Sequence, residues 1–225
     1  MESGLEQPPM LACGTLPEID IHSWEAIEAA FHGAPSCALK QTWLPALEPG
    51  FRPAKVRTGW RPEALYVLAD LEDADIFNPE TRFNEPSFMV GDVFEMFLRP
   101  QGQDPYFEFH VTPQNQKFQL RIPRENALQS LPPGVWLPAE WMVRQPVIES
   151  RVSLPAGQDR WRVLAVIPFA LVVERGTVEP GACWRFSFSR YDYTRGAAGP
   201  VLSSSSPHRE LSFHRQQEWG TLQFL

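Results

Sequence analysis

Apolar and polar residues alternate over several short segments of the chain, which is the spacing of β-strands. In the segment YFEFHV, residues 106–111, aromatic and branched side chains alternate with Glu108 and His110. The segment WRFSFSRYDY, residues 184–193, alternates as regularly and places Arg190 on the same face as Trp and Phe side chains. Each segment therefore has one apolar and one polar side, as expected for strands of a half-buried antiparallel sheet.

Further segments have the length and residue types of strands and are bounded by Pro, Gly, Asp or Asn. The predicted strands are 38–44, 54–60, 64–69, 93–98, 106–111, 117–122, 147–154, 161–167, 183–191 and 221–225. Residues 23–31 predict a short helix with Ser23 as its N-cap, and residues 169–173 fit either a helical turn or a strand. The 23 prolines lie mostly between apolar segments, which disfavours a helical bundle. We therefore predict an all-β protein, an antiparallel β-sandwich of two packed sheets with a short N-terminal helix.

The 225 residues suit one sizeable domain. Residues 1–17 contain Pro, Gly and Glu without a clear period, so we expect a loosely ordered lead-in there and a single domain over residues 18–225. The N-terminus lacks the basic and apolar regions of a signal peptide, and no apolar segment reaches membrane length. The sequence as it stands predicts a cytoplasmic protein, or an extracellular or periplasmic one if a leader has been removed.

Charge and cysteine content disfavour three classes of protein: nucleic-acid binders, disulfide scaffolds and zinc-binding proteins. The net charge is −7 and no run of Lys or Arg occurs, which disfavours binding to nucleic acid. The three cysteines are far apart and form no C-x-x-C motif, so they indicate neither a disulfide scaffold nor a zinc site.

A cluster of carboxylates, Asp70, Glu72, Asp73 and Asp75, lies in the turn after the predicted strand at 64–69. Calcium takes about six to eight oxygen ligands, and this turn offers some of them. A solvated acidic loop explains the same composition, since such loops are common between strands. We treat Asp70, Asp73 and Asp75 as candidate calcium ligands.

Three residues of metal-binding type, His208, Glu210 and His214, lie close together near the C-terminus. Their spacing is not that of H-E-x-x-H, and the serines at 203–206 ahead of them favour an exposed loop over a zinc site.

Several motifs occur in a characteristic order. An LYV run at 65–67 precedes the acidic turn, DVFEMF follows at 92–97, and SFHRQQEWGTLQF ends the chain at 212–224. In this order and spacing the chain resembles the carbohydrate-binding module family 9 group of β-sandwich domains, whose second motif is D-x-V-E-x-F and whose last is F-G-x-L-x-F. Here Val93 lies one place early, and Trp219 stands where the last motif opens with Phe. The resemblance implies a non-catalytic sugar-binding module with a structural calcium ion, found in association with a glycan-active enzyme.

Members of that family clamp the sugar between two tryptophans and hold it with charged residues. The first of these positions falls on Met89 and the second on Phe213, so both clamp tryptophans are replaced. The family's Glu matches Glu95, and its Arg falls near His110. With Phe88 beside the first position and Arg190 on a strand expected in the same sheet, the predicted carbohydrate site is Phe88, Met89, Glu95, His110, Arg190 and Phe213.

Two other functions fit the same residues. The replaced tryptophans also permit a fold retained as a scaffold for protein contacts. Carboxylates such as Glu95 and Glu108 would support glycoside hydrolysis if they stood at the defined separation that an acid and a base need. The eight tryptophans have a competing role as well, because large aromatic side chains commonly fill cores.

Overall fold

The computed structural model describes residues 6–225, which are mostly β-strands and loops. The strands are β1 (Met10–Thr15), β2 (Ser36–Ala38), β3 (Ala54–Arg61), β4 (Ala64–Glu72), β5 (Val93–Pro100), β6 (Tyr106–Val111), β7 (Lys117–Ile122), β8 (Glu149–Ser153), β9 (Arg160–Pro168), β10 (Cys183–Asp192), β11 (Val201–Ser204) and β12 (Gly220–Phe224). The helices of this part of the chain are α1 (Trp24–Ala30) and α2 (Phe169–Val172). Single 3₁₀ turns lie at Ser87–Met89, Leu128–Ser130, Ala139–Trp141 and Gln216–Glu218.

The strands of residues 6–225 form one mixed, curled sheet in the order β7-β6-β5-β10-β12-β1-β3-β4-β9-β8, with β2 on β3 and β11 on β10. Strand β1 is parallel to both of its neighbours, β12 and β3, whereas the other pairs are antiparallel. The all-β prediction is confirmed, the predicted antiparallel pairing is wrong because the sheet is mixed, and the predicted sandwich of two packed sheets is not confirmed. The reason is β1, whose first residues pair with β12 and whose last two pair with β3, so that it joins both halves.

The N-terminal region also differs from the expected loose lead-in over 1–17. Residues 1–5 lie outside the described part of the chain, but Met10–Thr15 form β1. Leu11 and Cys13 of this strand are buried in the core. The segment was hard to predict because only two of its six residues are buried and Gly14 interrupts the pattern.

The inward side chains of β5, β6 and β10 pack against those of β4 and β9 in a single apolar core. Alternate residues of β5 and β4 illustrate this contact and are fully buried: Phe94, Met96 and Leu98 on β5, and Val67, Ala69 and Leu71 on β4. Burial of each large side chain contributes about 1.5–3 kcal/mol. The core thus holds the two ends of the curled sheet face to face and fixes which residues of β5 point outward.

The outer side of β5, β6 and β10 is covered by loops rather than by a second sheet. A second apolar cluster forms there, with Phe97, Tyr106, Phe118 and Trp219 as its largest members. The Trp219 indole Nε1 donates to the Phe213 carbonyl at 2.7 Å and so fixes the loop before β12. The space between this outer side and its loops is where the candidate site lies.

Helix α1 is confirmed and packs on the other end of the sheet. The Ser23 Oγ accepts a hydrogen bond from the Ala26 backbone N–H at 3.2 Å, which caps the helix as predicted. Ile27 and Phe31 bury against the outward residues of β4 and β9. Across residues 6–225, no helix has the length and apolar character needed to cross a membrane.

Candidate functional site

Two adjoining cavities lie on the outer side of β5 and β6. The first, which we call the carboxylate cavity, measures about 330 Å³ and is lined by Phe88, Glu95, Phe97, Glu108, Tyr191, Leu202, Leu211, Ser212, Phe213 and His214. The second, the tryptophan cavity, measures about 320 Å³ and is lined by Phe88, Glu108, Phe118, Leu120, Leu128, Leu131, Pro132, Val135, Trp136, Leu137 and His214. Phe88, Glu108 and His214 line both cavities, so the two adjoin, and we refer to them together as the groove.

The strand register sets the floor of this groove. Glu95 on β5 lies directly opposite His110 on β6, and Phe97 lies opposite Glu108. Opposite residues of an antiparallel pair share a face, so these four side chains point outward, while the intervening Met96 and Phe109 enter the core. The alternation seen in the sequence therefore places an acid, a second acid and an imidazole together.

Glu95, Glu108 and His110 make close contacts and are all buried. The His110 Nε2 lies 2.6 Å from Glu108 Oε1 and 3.2 Å from Glu95 Oε1. Within residues 6–225, neither Glu95 Oε2 nor His110 Nδ1 has a hydrogen-bond partner. A carboxylate oxygen without a partner in a buried site is costly, so this oxygen favours a ligand that donates a hydrogen bond.

The electrostatics of this cluster differ from those of the same side chains when exposed. Burial raises the pKa of the Glu95 carboxyl to about 8, against the opposing charge of His110. Burial also acts to raise the pKa of Glu108, but its hydrogen bond with His110 and the charges of His110 and His214 together outweigh that effect and lower the pKa. For His110 burial acts to lower the pKa, and the two carboxylates outweigh it and raise the pKa. These shifts favour a protonated Glu95 and a protonated His110 beside an ionised Glu108.

The same three side chains also offer metal-ligand atoms that lie within 4.8 Å of one another. The distances from His110 Nε2 to the two carboxylate oxygens are hydrogen-bond distances, however, and its Nδ1 lacks the acceptor that a metal-bound histidine normally has, among the residues described. We therefore interpret the cluster as hydrogen-bonded.

His214 forms part of the wall that the two cavities share. Its Nδ1 lies 3.0 Å from the Tyr106 hydroxyl, and its Nε2 lies 3.8 Å from Glu108 Oε2. The sequence grouped it with His208 and Glu210, but those residues lie elsewhere. His208 is buried, with its Nδ1 3.0 Å from a Glu218 oxygen. The loop that the sequence predicts to be exposed is therefore buried at this residue.

Aromatic rings supply the apolar walls. Phe88 packs against Tyr191 with ring centroids 5.7 Å apart, and Phe213 packs against Tyr191 at 5.9 Å. In the tryptophan cavity, Trp136 is 51% exposed, so its ring is available to a ligand. The other tryptophans are more buried, and Trp60, Trp161, Trp184 and Trp219 lie in the apolar clusters.

Four of the six predicted carbohydrate-site residues come together in the structure. Phe88, Glu95 and Phe213 line the carboxylate cavity, and His110 lies beneath it in contact with Glu95. Met89 follows Phe88 in the same 3₁₀ turn but is 57% exposed and lines neither cavity.

Arg190 lies on the opposite side of the sheet from the groove. Its register partner on β5 is Phe94, a core residue, whereas Ser189 is the neighbour of Glu95. The buried Arg190 Nη2 lies 3.0 Å from Asp73 Oδ2 and 2.9 Å from Asp192 Oδ2. The structure therefore places this arginine in a buried charge cluster and not beside the predicted ligand.

The three candidate calcium ligands do not converge. Asp70 lies 3.3 Å from Arg160 Nη1, Asp75 pairs with Arg195, and Asp73 faces Arg190. Asp73 instead clusters with Asp92 and Asp192, and carboxylate oxygens of these three residues lie within 4.8 Å of one another. With a guanidinium already among those carboxylates, the side chains present do not fit a calcium site formed by Asp70, Asp73 and Asp75.

Asp92 and Asp192 show the cost of gathering acids in this buried cluster. Burial raises the pKa of Asp92 to about 8, with a further rise from the charge of Asp73. Burial likewise raises the pKa of Asp192 to about 7, and Arg190 opposes the rise. Asp92 is also a structural acceptor, since the Phe77 and Tyr193 backbone N–H groups donate to it at 2.6 and 2.7 Å.

Sequence reasoning missed parts of the groove. Phe97, Leu202, Leu211 and Trp136 line the groove but are not among the six predicted site residues. The outward position of Phe97 follows from its spacing of two from Glu95, so that signal was present in the sequence. The loop residues carried no comparable signal.

No protein-family model matches the sequence, and no curated protein matches it. Among solved structures, the chain is similar to a candidate carbohydrate-binding protein from Bacteroides uniformis, with 17% identity, a TM-score of 0.73 and coverage of 96% of this chain and 99% of that one.

The chain is also similar to a carbohydrate-binding module family 9 from Caldicellulosiruptor kristjanssonii. That module in complex with cellotriose has 16% identity and a TM-score of 0.64, covering 96% of this chain and 93% of its own. In complex with glucose it has 16% identity and a TM-score of 0.62, covering 97% and 96%. The chain therefore has a carbohydrate-binding module family 9-like fold, as the sequence motifs predicted.

Proposed function

We propose that this protein is a non-catalytic module that binds carbohydrate in the groove formed by the carboxylate and tryptophan cavities. The observation that carries the proposal is the buried Glu95 Oε2, which has no hydrogen-bond partner in residues 6–225 and belongs to a residue that lines a cavity with aromatic walls. A sugar has an apolar C–H face that packs on such rings and hydroxyls that donate to such an oxygen. The similar modules solved with cellotriose and glucose support the same ligand class.

The position of the two carboxylates supports binding rather than hydrolysis. Glu95 and Glu108 contact the same His110 nitrogen from adjacent strands, so both belong to the floor of the groove. A glycosidase needs its acid and its base or nucleophile on opposite sides of the scissile bond, about 5–10 Å apart. Two acids that share one imidazole on one side do not flank a bond. We expect modest affinity, because the contacts between protein and sugar take the place of good contacts that both already make with water.

Isothermal titration calorimetry with glucose and cellotriose tests the proposal. We expect saturable binding by the wild-type protein and a loss of about two- to tenfold in Glu95→Gln, since the amide presents a donor where the carboxyl presents an oxygen and a hydrogen bond between neutral groups is worth about 0.5–1.5 kcal/mol. Met89→Ala is the matched control, because Met89 adjoins Phe88 in sequence but lines neither cavity. It should bind like the wild type.

Other outcomes favour the alternatives. The absence of saturable binding with any of a panel of neutral, acidic and amino sugars would overturn the proposal and favour a scaffold for protein contacts. Turnover of a chromogenic glycoside that disappears in Glu95→Gln would instead identify a hydrolase.

A further inference from the structure

Apart from the imidazoles of His110 beneath the floor and His214 in the wall, the charged side chains of the groove are acidic. Glu95 and Glu108 are its carboxylates, and none of the described residues that line either cavity is Lys or Arg. A site for a uronate or a phosphorylated sugar needs a cation to balance the ligand. The net charge of −7 adds to the same preference at long range. The groove is therefore unsuited to anionic sugars.

The buried cluster is also one positive charge short when both of its acids are ionised. The single imidazolium of His110 balances one carboxylate, so the other must either keep a proton or meet a cation from outside. Glu95 is the acid with a free position, because its Oε1 faces His110 at 3.2 Å while its Oε2 has no partner in the described chain. An ammonium group satisfies both the missing hydrogen bond and the missing charge, whereas a hydroxyl satisfies only the first.

We propose, on the basis of the sugar-binding function above, that the groove selects a sugar carrying a protonated primary amine, with the ammonium donating to Glu95 Oε2. The rings of Phe88 and Tyr191 line the same cavity and add a cation–π contribution. The sugar ring lies over the aromatic walls.

Binding of an amine at Glu95 should change the protonation of that carboxyl. The titratable groups that surround Glu95 are Glu108 and His110 on β6, Tyr191 on β10 and His214 in the loop before β12. Without ligand, burial keeps the Glu95 carboxyl protonated near neutral pH. An incoming ammonium takes the place of that proton, so binding of the amine releases up to one proton to the buffer.

Calorimetric titration at pH 6.5 with glucosamine, glucose, N-acetylglucosamine and methylamine tests this inference. We expect glucosamine to bind about tenfold or more tighter than glucose and N-acetylglucosamine, which lack the cation. Methylamine should bind much more weakly than glucosamine because it lacks the ring. Repeating the glucosamine titration in buffers of different ionisation enthalpy should show proton release, which glucose should not cause and which Glu95→Gln should abolish.

The outcomes separate this inference from the proposed function. Saturable binding of glucose that glucosamine does not exceed would overturn the inference and leave the sugar-binding function standing. Glucosamine binding without proton release, or unchanged in a folded Glu95→Gln protein, would also overturn it. Methylamine binding as tight as glucosamine would show recognition of an amine alone, and no binding by any of the sugars would overturn both proposals.

Discussion

Glu95 and His110 occupy opposite positions on β5 and β6, with Glu95 Oε1 3.2 Å from His110 Nε2. The pair lies at the floor of the groove and is fixed by the sheet rather than by a loop. Its neighbours Phe94 and Met96 point the other way into the core, so a shift of the strand would cost core packing. The protonation of this pair therefore bears on both ligand binding and the stability of the fold.

We expect the protein to lose stability as pH rises from about 5 to about 8. The pKa of Glu95 is raised from 4.5 to about 8, that of Asp92 from 3.8 to about 8 and that of Asp192 from 3.8 to about 7. The folded state therefore binds more protons than the unfolded state over this interval, and the free energy of unfolding falls as they are lost. Urea unfolding at pH 5.5 and 8.5 measures the difference. A protein that is equally stable or more stable at pH 8.5 would contradict the prediction.

The contribution of Glu95 to this pH dependence can be isolated. Glu95→Gln removes the titrating group but keeps an oxygen that accepts from His110. We expect the variant to lose less stability than the wild type between pH 5.5 and 8.5, by about 1 kcal/mol or more, since one pKa unit corresponds to about 1.4 kcal/mol. An unchanged slope would mean that the Glu95 carboxyl titrates alike in the folded and unfolded states.

Arg190 should matter for stability and not for ligand binding. Replacing it with Met leaves Asp73 and Asp192 buried without their cation, and breaking such a pair costs about 3–5 kcal/mol. We expect a large fall in the midpoint of urea unfolding. At low temperature, the folded fraction of Arg190→Met should bind glucose with the wild-type dissociation constant. Weaker glucose binding by a fully folded variant protein would contradict the prediction and show that Arg190 contributes to the binding site.

Trp136 should discriminate between ligands of different length. It lies in the tryptophan cavity and not in the carboxylate cavity, so a single sugar held at Glu95 does not need it. We expect Trp136→Ala to weaken cellotriose binding about three- to tenfold, since ring stacking is worth about 1 kcal/mol, and to leave glucose binding unchanged. Because the side chain is half exposed, the melting temperature should change little. Equal losses for both ligands would show that the cavities act as one subsite.

Calcium should have little effect on stability. Asp70, Asp73 and Asp75 each already face an arginine side chain, so they do not form one oxygen cage. We expect the melting temperature to be the same in millimolar calcium and in excess chelator. A rise with calcium that Asp73→Asn removes would restore the calcium site implied by the family resemblance.

The strands that form the groove could be predicted because alternation alone specifies them. Glu95, Glu108 and His110 interrupt apolar runs at intervals of two, which puts them on one side of their strands whatever the rest of the fold. The same rule grouped Arg190 with Trp184 and Phe186 on an apolar face, which conflicts with its predicted place in the site, a prediction that rested only on its strand lying in the same sheet. A charged residue on an apolar face indicates a buried partner, which here is Asp73 with Asp192.

Features that depend on distant parts of the chain could not be predicted. Counting from Glu95 pointed to Met89, but the direction of each side chain in the 3₁₀ turn at Ser87–Met89 is set by packing, and Phe88 is the residue that faces the groove. The mixed sheet depends on the direction in which β1 enters it, and periodicity carries no information on direction. The loop with Trp136 has no regular structure at that residue from which a position could be inferred.

Strand β1 has a practical consequence for work on this protein. It covers one side of β12 and part of β3, and the Leu225 backbone N–H also donates to the Cys13 carbonyl at 2.9 Å. A shortened chain that starts after Thr15 would leave those backbone groups open to pairing with another molecule, which is a common origin of aggregation. Purification tags are therefore best placed ahead of residue 6, with the strand itself left intact.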